Sequence, residues 1–263
     1  MKLILGVLLA LLAYATAEAH ELSPDQLRTV RFEQHIGAGL PLDLAFTDDV
    51  GRAVYLRDFF EGKPVVLTLN YLRCQNLCPL ELQGLIGGLN GVPFVLGDEY
   101  TLLTISFDAR ETPDQAATAK FKALRGYVHP EAMNGWHVLT TQDQQTIDAL
   151  TQAVGFNYVY DDQEDDYAHP LGVLILTETG AISRYVYGLD FSATDLRLAL
   201  TEAAQQRLGG LTEQVLLLCY HYDALTGRYT PVVLDVLKMA GAATVLAVGG
   251  ALFALWRADL RRI

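Results

Sequence analysis

The run from Val65 to Leu82 constrains the fold more than any other stretch of this chain. It opens as Val65-Val66-Leu67-Thr68-Leu69, mostly β-branched and aliphatic, as in a strand buried on both faces. Two cysteines, Cys74 and Cys78, then interrupt it in a C-x3-C spacing. Pro79 predicts the first helical position, because its missing N–H and fixed φ cost nothing at N1. Leu80, Leu82, Leu85, Ile86 and Leu89 carry an apolar helical pattern onward. Two thiols therefore sit in a strand-to-helix turn, with Cys78 near the helix N-terminus. Unpaired N–H groups there favour a thiolate, the form that binds metal or attacks disulfides. Taken alone, the pair reads either as a structural disulfide or as a metal or redox site.

The 263 residues suffice for one good-sized domain plus appendages. A net charge of −12 argues against nucleic acid as a partner, since phosphate binding needs a basic surface. Three cysteines are too few for a disulfide scaffold. The apolar content is raised by the two ends of the chain. Residues 1–19 read as a secretory signal, with Lys2 as the positive region, Leu3 to Leu12 as the apolar core and Ala17-Glu18-Ala19 as the cleavage site. An uncleaved anchor is the alternative. A cleaved signal puts the domain outside the cytoplasm, where disulfides form.

Residues 20–40 form a lead-in. A short strand, a turn at Asp48 to Gly51 and a second short strand follow between Pro41 and Phe59. Further strands are predicted at Thr101–Asp108, Trp136–Thr140, Pro170–Leu176 and Ile182–Tyr187, the last two as a hairpin around Thr179-Gly180. Helices are predicted at Pro113–Arg125, capped by Thr112, at Gln142–Val154, and at Ser192–Leu208, capped by Ser192. Strands alternating with helices give an α/β domain over residues 41–208. The acidic run Asp161 to Asp166 reads as a solvated loop. Its sharper reading is an attractor for a cation or a basic partner, three residues from His169.

Beyond a linker at 209–231 the chain changes character. Met239 to Trp256 is 18 residues without a charge, about 27 Å of helix, close to the thickness of a bilayer core. With the preceding turn, a transmembrane helix is expected at 232–256. Trp256 and Tyr229 stand as interfacial aromatics, and the basic tail 257–263 belongs on the cytoplasmic side. This places the domain on the extracytoplasmic side of a cell membrane, anchored at its C-terminus. A buried core helix is the alternative.

The stretch Asn70-Tyr71-Leu72-Arg73-Cys74-Gln75-Asn76-Leu77-Cys78-Pro79 resembles the signature of the Sco/SenC family, thioredoxin-like copper-binding proteins that serve cytochrome c oxidase assembly. Leu42-Asp43-Leu44 with Asp48, Gly51, Leu56 and Asp58 is similar to the opening of thioredoxin-like domains. The resemblance implies a thioredoxin-like fold and a third metal ligand, a histidine just before a late strand. His169 stands there, although Ala168 and Pro170 flank it where the family usually has aspartate and a small or hydroxyl residue. Pro170 occupies the place of the cis-proline of thioredoxin-like folds, so a cis 169–170 bond is expected. Asp108 matches an acidic position of the family, as outer support for the site or as plain turn chemistry. A C-terminal anchor departs from the N-terminal one common in the family.

Two soft thiolates suit Cu(I) or zinc, and with an imidazole they form a set that accepts copper. The expected ligands are Cys74, Cys78 and His169. His129 and His137 read as surface or packing residues. Cys219 and His221 read as a buried cysteine and an interfacial histidine, or as an auxiliary site. The implied function is a metallochaperone that hands copper to the dinuclear copper site of cytochrome c oxidase subunit II, or a similar acceptor. The alternative is a thiol–disulfide oxidoreductase that keeps the oxidase cysteines reduced, drawing on thiol reductants through the redox pair Cys74 and Cys78. A peroxidase-like activity and a copper or redox sensor are weaker alternatives.

Overall fold

The computed structural model describes residues 22–74, 77–129 and 134–208, the pairs 222–223 and 228–229, and seven residues between 238 and 249. The expected signal at 1–19, the tail at 257–263, Cys219 and His221 lie outside the described residues.

Three parallel strands form the centre: β4 (Val65–Asn70), β5 (Thr101–Ser106) and β6 (Trp136–Thr140). Antiparallel hairpins extend the sheet on both sides. β10 (Gly172–Leu176) and β11 (Ile182–Tyr187) add beyond β4, and β2 (Ala45–Asp48) and β3 (Ala53–Tyr55) add beyond β6. The order across the seven strands is β11-β10-β4-β5-β6-β2-β3. This is the expected α/β, thioredoxin-like arrangement. The turn between β2 and β3 closes through Gly51 N–H to Asp48 O, and that between β10 and β11 through Gly180 N–H to Thr177 O.

The unbroken apolar run of β4 makes sense in this position. Successive side chains point to opposite faces, and both faces are covered. Leu67 and Leu69 meet Leu103, Ile105 and Leu174 on one face, while Val66 meets Leu102, Val138 and Ile175 on the other. Three helices cover the second face: α2 (Leu77–Asn90), α3 (Pro113–Leu124) and α5 (Ala193–Ala204). The first face is covered by α4 (Gln144–Ala153) and by apolar residues of the lead-in. A short helix α1 (Pro24–Thr29) precedes β1 (Arg31–Phe32), which pairs with β7 (Phe156–Asn157).

The caps behave as their chemistry requires, with one exception. Thr112 Oγ1 accepts the Gln115 N–H, and the Gln115 side chain accepts the Thr112 N–H in return. Ser192 occupies the N-cap of α5 but makes no side-chain bond to it. Helix α2 starts at Leu77, so Pro79 is its third residue and not its first. Proline is tolerated there too, because the first four N–H groups of a helix have no partner within it.

The acidic run is solvated as expected, with Asp162 to Asp165 exposed, but it is ordered. It forms the turn of a hairpin, β8 (Val159–Asp161) and β9 (Asp166–Ala168). Asp161 Oδ1 accepts the N–H groups of Gln163 and Glu164 and so closes the turn. Among the described residues no helix is long and apolar enough to cross a membrane. Most of the expected span at 232–256 lies outside them.

Candidate metal centre

The site forms where β4 ends, at the C-terminal edge of the parallel strands. The chain turns at Tyr71, whose carbonyl accepts the Cys74 N–H at 3.3 Å. Gln75 and Asn76 lie outside the described residues. Cys74 is half-buried and Cys78, in the first turn of α2, is 4 % exposed. The Cys78 N–H points at the Cys74 sulfur, 3.4 Å away. An N–H of the helix start is therefore directed at the Cys74 sulfur. The thiolate expected at Cys78 is not favoured. The adjacent Cys74 sulfur, burial and the Glu81 carboxyl all push the Cys78 thiol well above its ordinary range.

His169 follows β9 directly and brings its ring to Cys78. Nε2 lies 3.1 Å from Cys78 Sγ, and Nδ1 lies 3.0 Å from Pro170 O. A carbonyl can only accept, so Nδ1 carries the proton and Nε2 presents a lone pair to the Cys78 S–H. Burial lowers the His169 pKa, outweighing the Pro170 carbonyl and the Cys74 sulfur, which raise it. The ring is therefore neutral near pH 7, the form that binds a metal. Tyr71, Phe107 and Phe156 surround it with ring centroids at 5.8, 5.3 and 5.9 Å.

The 169–170 bond corrects one expectation. No cis peptide bond occurs among the described residues, so it is trans. Trans is the lower-energy form of an X–Pro bond by about 0.5–1 kcal/mol, and the ring reaches Cys78 without the isomer change.

A charged network backs the turn. Asp108, 1 % exposed, accepts from Arg73 at 2.7 Å and from Arg110 at 2.8 and 2.9 Å. Burial alone would raise its pKa, but the two guanidiniums hold it below the ordinary carboxylate value. Asp165 accepts from the same two arginines at 3.1 and 2.6 Å and from Tyr160 at 2.7 Å. Glu111 accepts the Arg73 N–H at 2.8 Å and the Ser106 hydroxyl at 2.5 Å. Asp166 accepts from the Tyr71 hydroxyl. The cations near the acidic run thus belong to this same chain.

Cys74, Cys78 and His169 lie in one neighbourhood, but their directed contacts run in pairs. Among the described residues no group of three or more His, Cys, Asp or Glu side chains is set out as a metal site. His137 packs on Phe59 at 4.7 Å, and His129 lies edge-on to Tyr127 at 6.1 Å. Sequence reasoning missed Arg110, Glu111, Glu81 and the aromatic enclosure. Glu81 left a readable trace: it stands four residues before Leu85, on the apolar stripe of its helix.

Among solved structures, a proposed electron transfer protein of Aquifex aeolicus VF5 is similar at 23 % identity and a TM-score of 0.57, over 65 % of this chain and 95 % of that one. Arabidopsis thaliana ScoI, solved with copper bound, is similar at 18 % identity and a TM-score of 0.50, over 65 % of this chain and 99 % of that one. BsSco, described as having a disulfide switch and as a member of the Sco family of cytochrome c oxidase assembly proteins, is similar at 15 % identity and a TM-score of 0.52, over 66 % and 99 %. At these identities the likeness concerns the fold. No curated protein sequence matches the chain. The family model described as SCO1/SenC matches residues 40–204, which contain the cysteine pair, the histidine and the whole central sheet. By that match over more than half its length, the chain belongs to the SCO1/SenC family.

Proposed function

We propose that this protein is a copper carrier that takes the ion through Cys74, Cys78 and His169 and passes it to the dinuclear copper site of cytochrome c oxidase. One observation carries the reading: the unprotonated Nε2 of a neutral, half-buried imidazole faces the Cys78 sulfur at 3.1 Å. Family membership supports it, since Sco/SenC proteins are known for copper binding and oxidase assembly, and a relative has been solved with copper bound. The donor set fits the cargo, because two thiolates and an imidazole suit Cu(I). In this reading the Cys74 sulfur joins the Cys78–His169 pair on loading. Both thiols give up their protons, so an oxidised pair cannot load. Transfer to the oxidase then proceeds by ligand exchange between Cys/His sets.

In the same reading the domain sits on the extracytoplasmic side, held by a helix at 232–256. The exposed apolar side chains of Leu246 and Val248, both helical, support an anchor there.

The test is copper analysis of the reduced full chain, with Cu(I) and Cu(II) in turn. One copper per chain is expected, lost in Cys74→Ala. His169→Ala separates this function from the oxidoreductase alternative: it should abolish copper binding and leave dithiol exchange intact. A reduced wild type that takes up no copper would sink the proposal.

A further inference from the structure

The three segments that supply Cys74, Cys78 and His169 meet at one buried carboxyl that the copper reading leaves unused. Glu81 is 1 % exposed. It lies three residues after Cys78 on α2, and such residues share a helix face. Its Oε1 accepts the Gly172 N–H at 2.5 Å, three residues beyond His169. Its Oε2 accepts the Asn70 amide at 2.9 Å, four residues before Cys74. The amide is turned this way because its second N–H then donates to Leu69 O at 2.8 Å and its oxygen accepts from Thr68 Oγ1 at 3.3 Å. Gly172 has no room for a side chain. A Cβ there would lie 2.8 Å from Val186 O, so the backbone itself makes the approach.

Burying a carboxyl costs free energy unless donors meet it, and here two do. Each comes from a different segment of the site. We propose that Glu81 is the positioning residue of the copper site: it ties the cysteine helix to the strand behind Cys74 and to the histidine loop, and so sets His169 Nε2 against Cys78 Sγ. An apolar residue in its place would leave the Gly172 N–H and one Asn70 N–H without partners in the interior. The segments would then part to let water in.

This inference rests on the copper reading above, and its test includes a measurement that needs no copper. The reduced full chain would be prepared as wild type, Glu81→Gln, Glu81→Leu and Asn70→Ala. The metal-free readout is the ring-nitrogen NMR shift of His169, which reports the Cys78 S–H contact. The loaded readouts are Cu(I) affinity and the histidine nitrogen coupling in the Cu(II) spectrum.

Glu81→Leu should shift the ring nitrogens, lose the nitrogen coupling and weaken copper about 10–100-fold, as loss of a group that orients a ligand does. Glu81→Gln keeps an acceptor for Gly172, so it should stay within about threefold of wild type. A Glu81→Leu protein with unchanged ring shifts, coupling and affinity overturns the inference. So does a Glu81→Gln protein as impaired as Glu81→Leu, because an acceptor for the Gly172 N–H would then not be what holds the site. If Glu81→Leu does not fold, Asn70→Ala decides: an intermediate loss supports the tie, and no loss overturns it. A wild type that binds no copper overturns the copper reading alone, since the ring shift still reports whether Glu81 holds His169 in place.

Discussion

Glu81 is buried and His169 half-buried, and burial acts on them in opposite directions. It lowers the imidazole pKa and keeps the ring neutral. It raises the Glu81 carboxyl to about 8, with the Gly172 N–H pulling it back and the Cys74 sulfur adding to the rise. The ordinary value of that carboxyl is 4.5. Between the two values the folded chain holds a proton that the unfolded chain has released. The Glu81 contribution to stability is therefore full below the lower value and is lost as pH rises through about 8. Glu81→Gln cannot titrate. The difference in Tm, wild type minus variant, should therefore fall steadily from about pH 5 to about pH 8 in the metal-free protein. A difference that stays flat across that window would show that the group does not titrate there.

Helix α2 packs against the segment before α5 through glycines, and its neighbouring glycines make opposite predictions. A Cβ at Gly84 would lie 1.8 Å from Leu189 O, a backbone atom that cannot swing aside. Gly84→Ala should destabilise the fold by about 1–3 kcal/mol through overpacking. At Gly87 a Cβ meets nothing within 4 Å. Gly87→Ala should stabilise by about 0.5–1 kcal/mol, because glycine loses more backbone freedom in a helix. Denaturant unfolding of the two variants checks both signs. The β8–β9 hairpin makes a third prediction. Its tip reaches Arg73 and Arg110 through Asp165, which adopts a left-handed φ of 50°, and Arg110 also donates to the Tyr160 and Tyr167 hydroxyls. Asp165→Asn should speed amide exchange across 159–168 and remove most of its dependence on salt, since exposed ion pairs are screened. Exchange no faster than wild type would show that Tyr160 and Tyr167, packed on each other and contacted by Arg110, hold the hairpin without the Asp165 ion pairs.

At the scale of the whole molecule, the site lies at one edge of a sheet whose two faces are both sealed by apolar side chains. The described residues place this domain and leave the anchor to be tested. Protein made from the full sequence should stay with the membrane after alkaline carbonate extraction. A protease added from the extracytoplasmic side should reach the domain. Release by carbonate would remove the C-terminal span from the reading and leave the domain and its site as they are.

Periodicity, caps and turn residues are short-range properties, and they made most of this fold legible. The all-apolar β4, the strand-to-helix turn at Cys74 and Cys78, the Thr112 cap and the hairpin at Gly180 each depend on residues within a few positions of one another. So does the helix after the cysteines, although it starts at Leu77, two residues before Pro79. His169 could be named as a ligand only through the family resemblance, because nothing local distinguishes it from His137. Its meeting with Cys78 spans 91 residues, and the tie between Glu81 and Gly172 spans the same distance. Arg73 and Asp165 are 92 residues apart. Pairings at that range are decided by strand order and by which faces are buried, and neither is written in any one segment. The sequence by itself therefore determined which pieces form and which chemistry they carry. Only the tertiary structure decided that a neutral histidine, two thiols and a buried acid share one edge of the sheet.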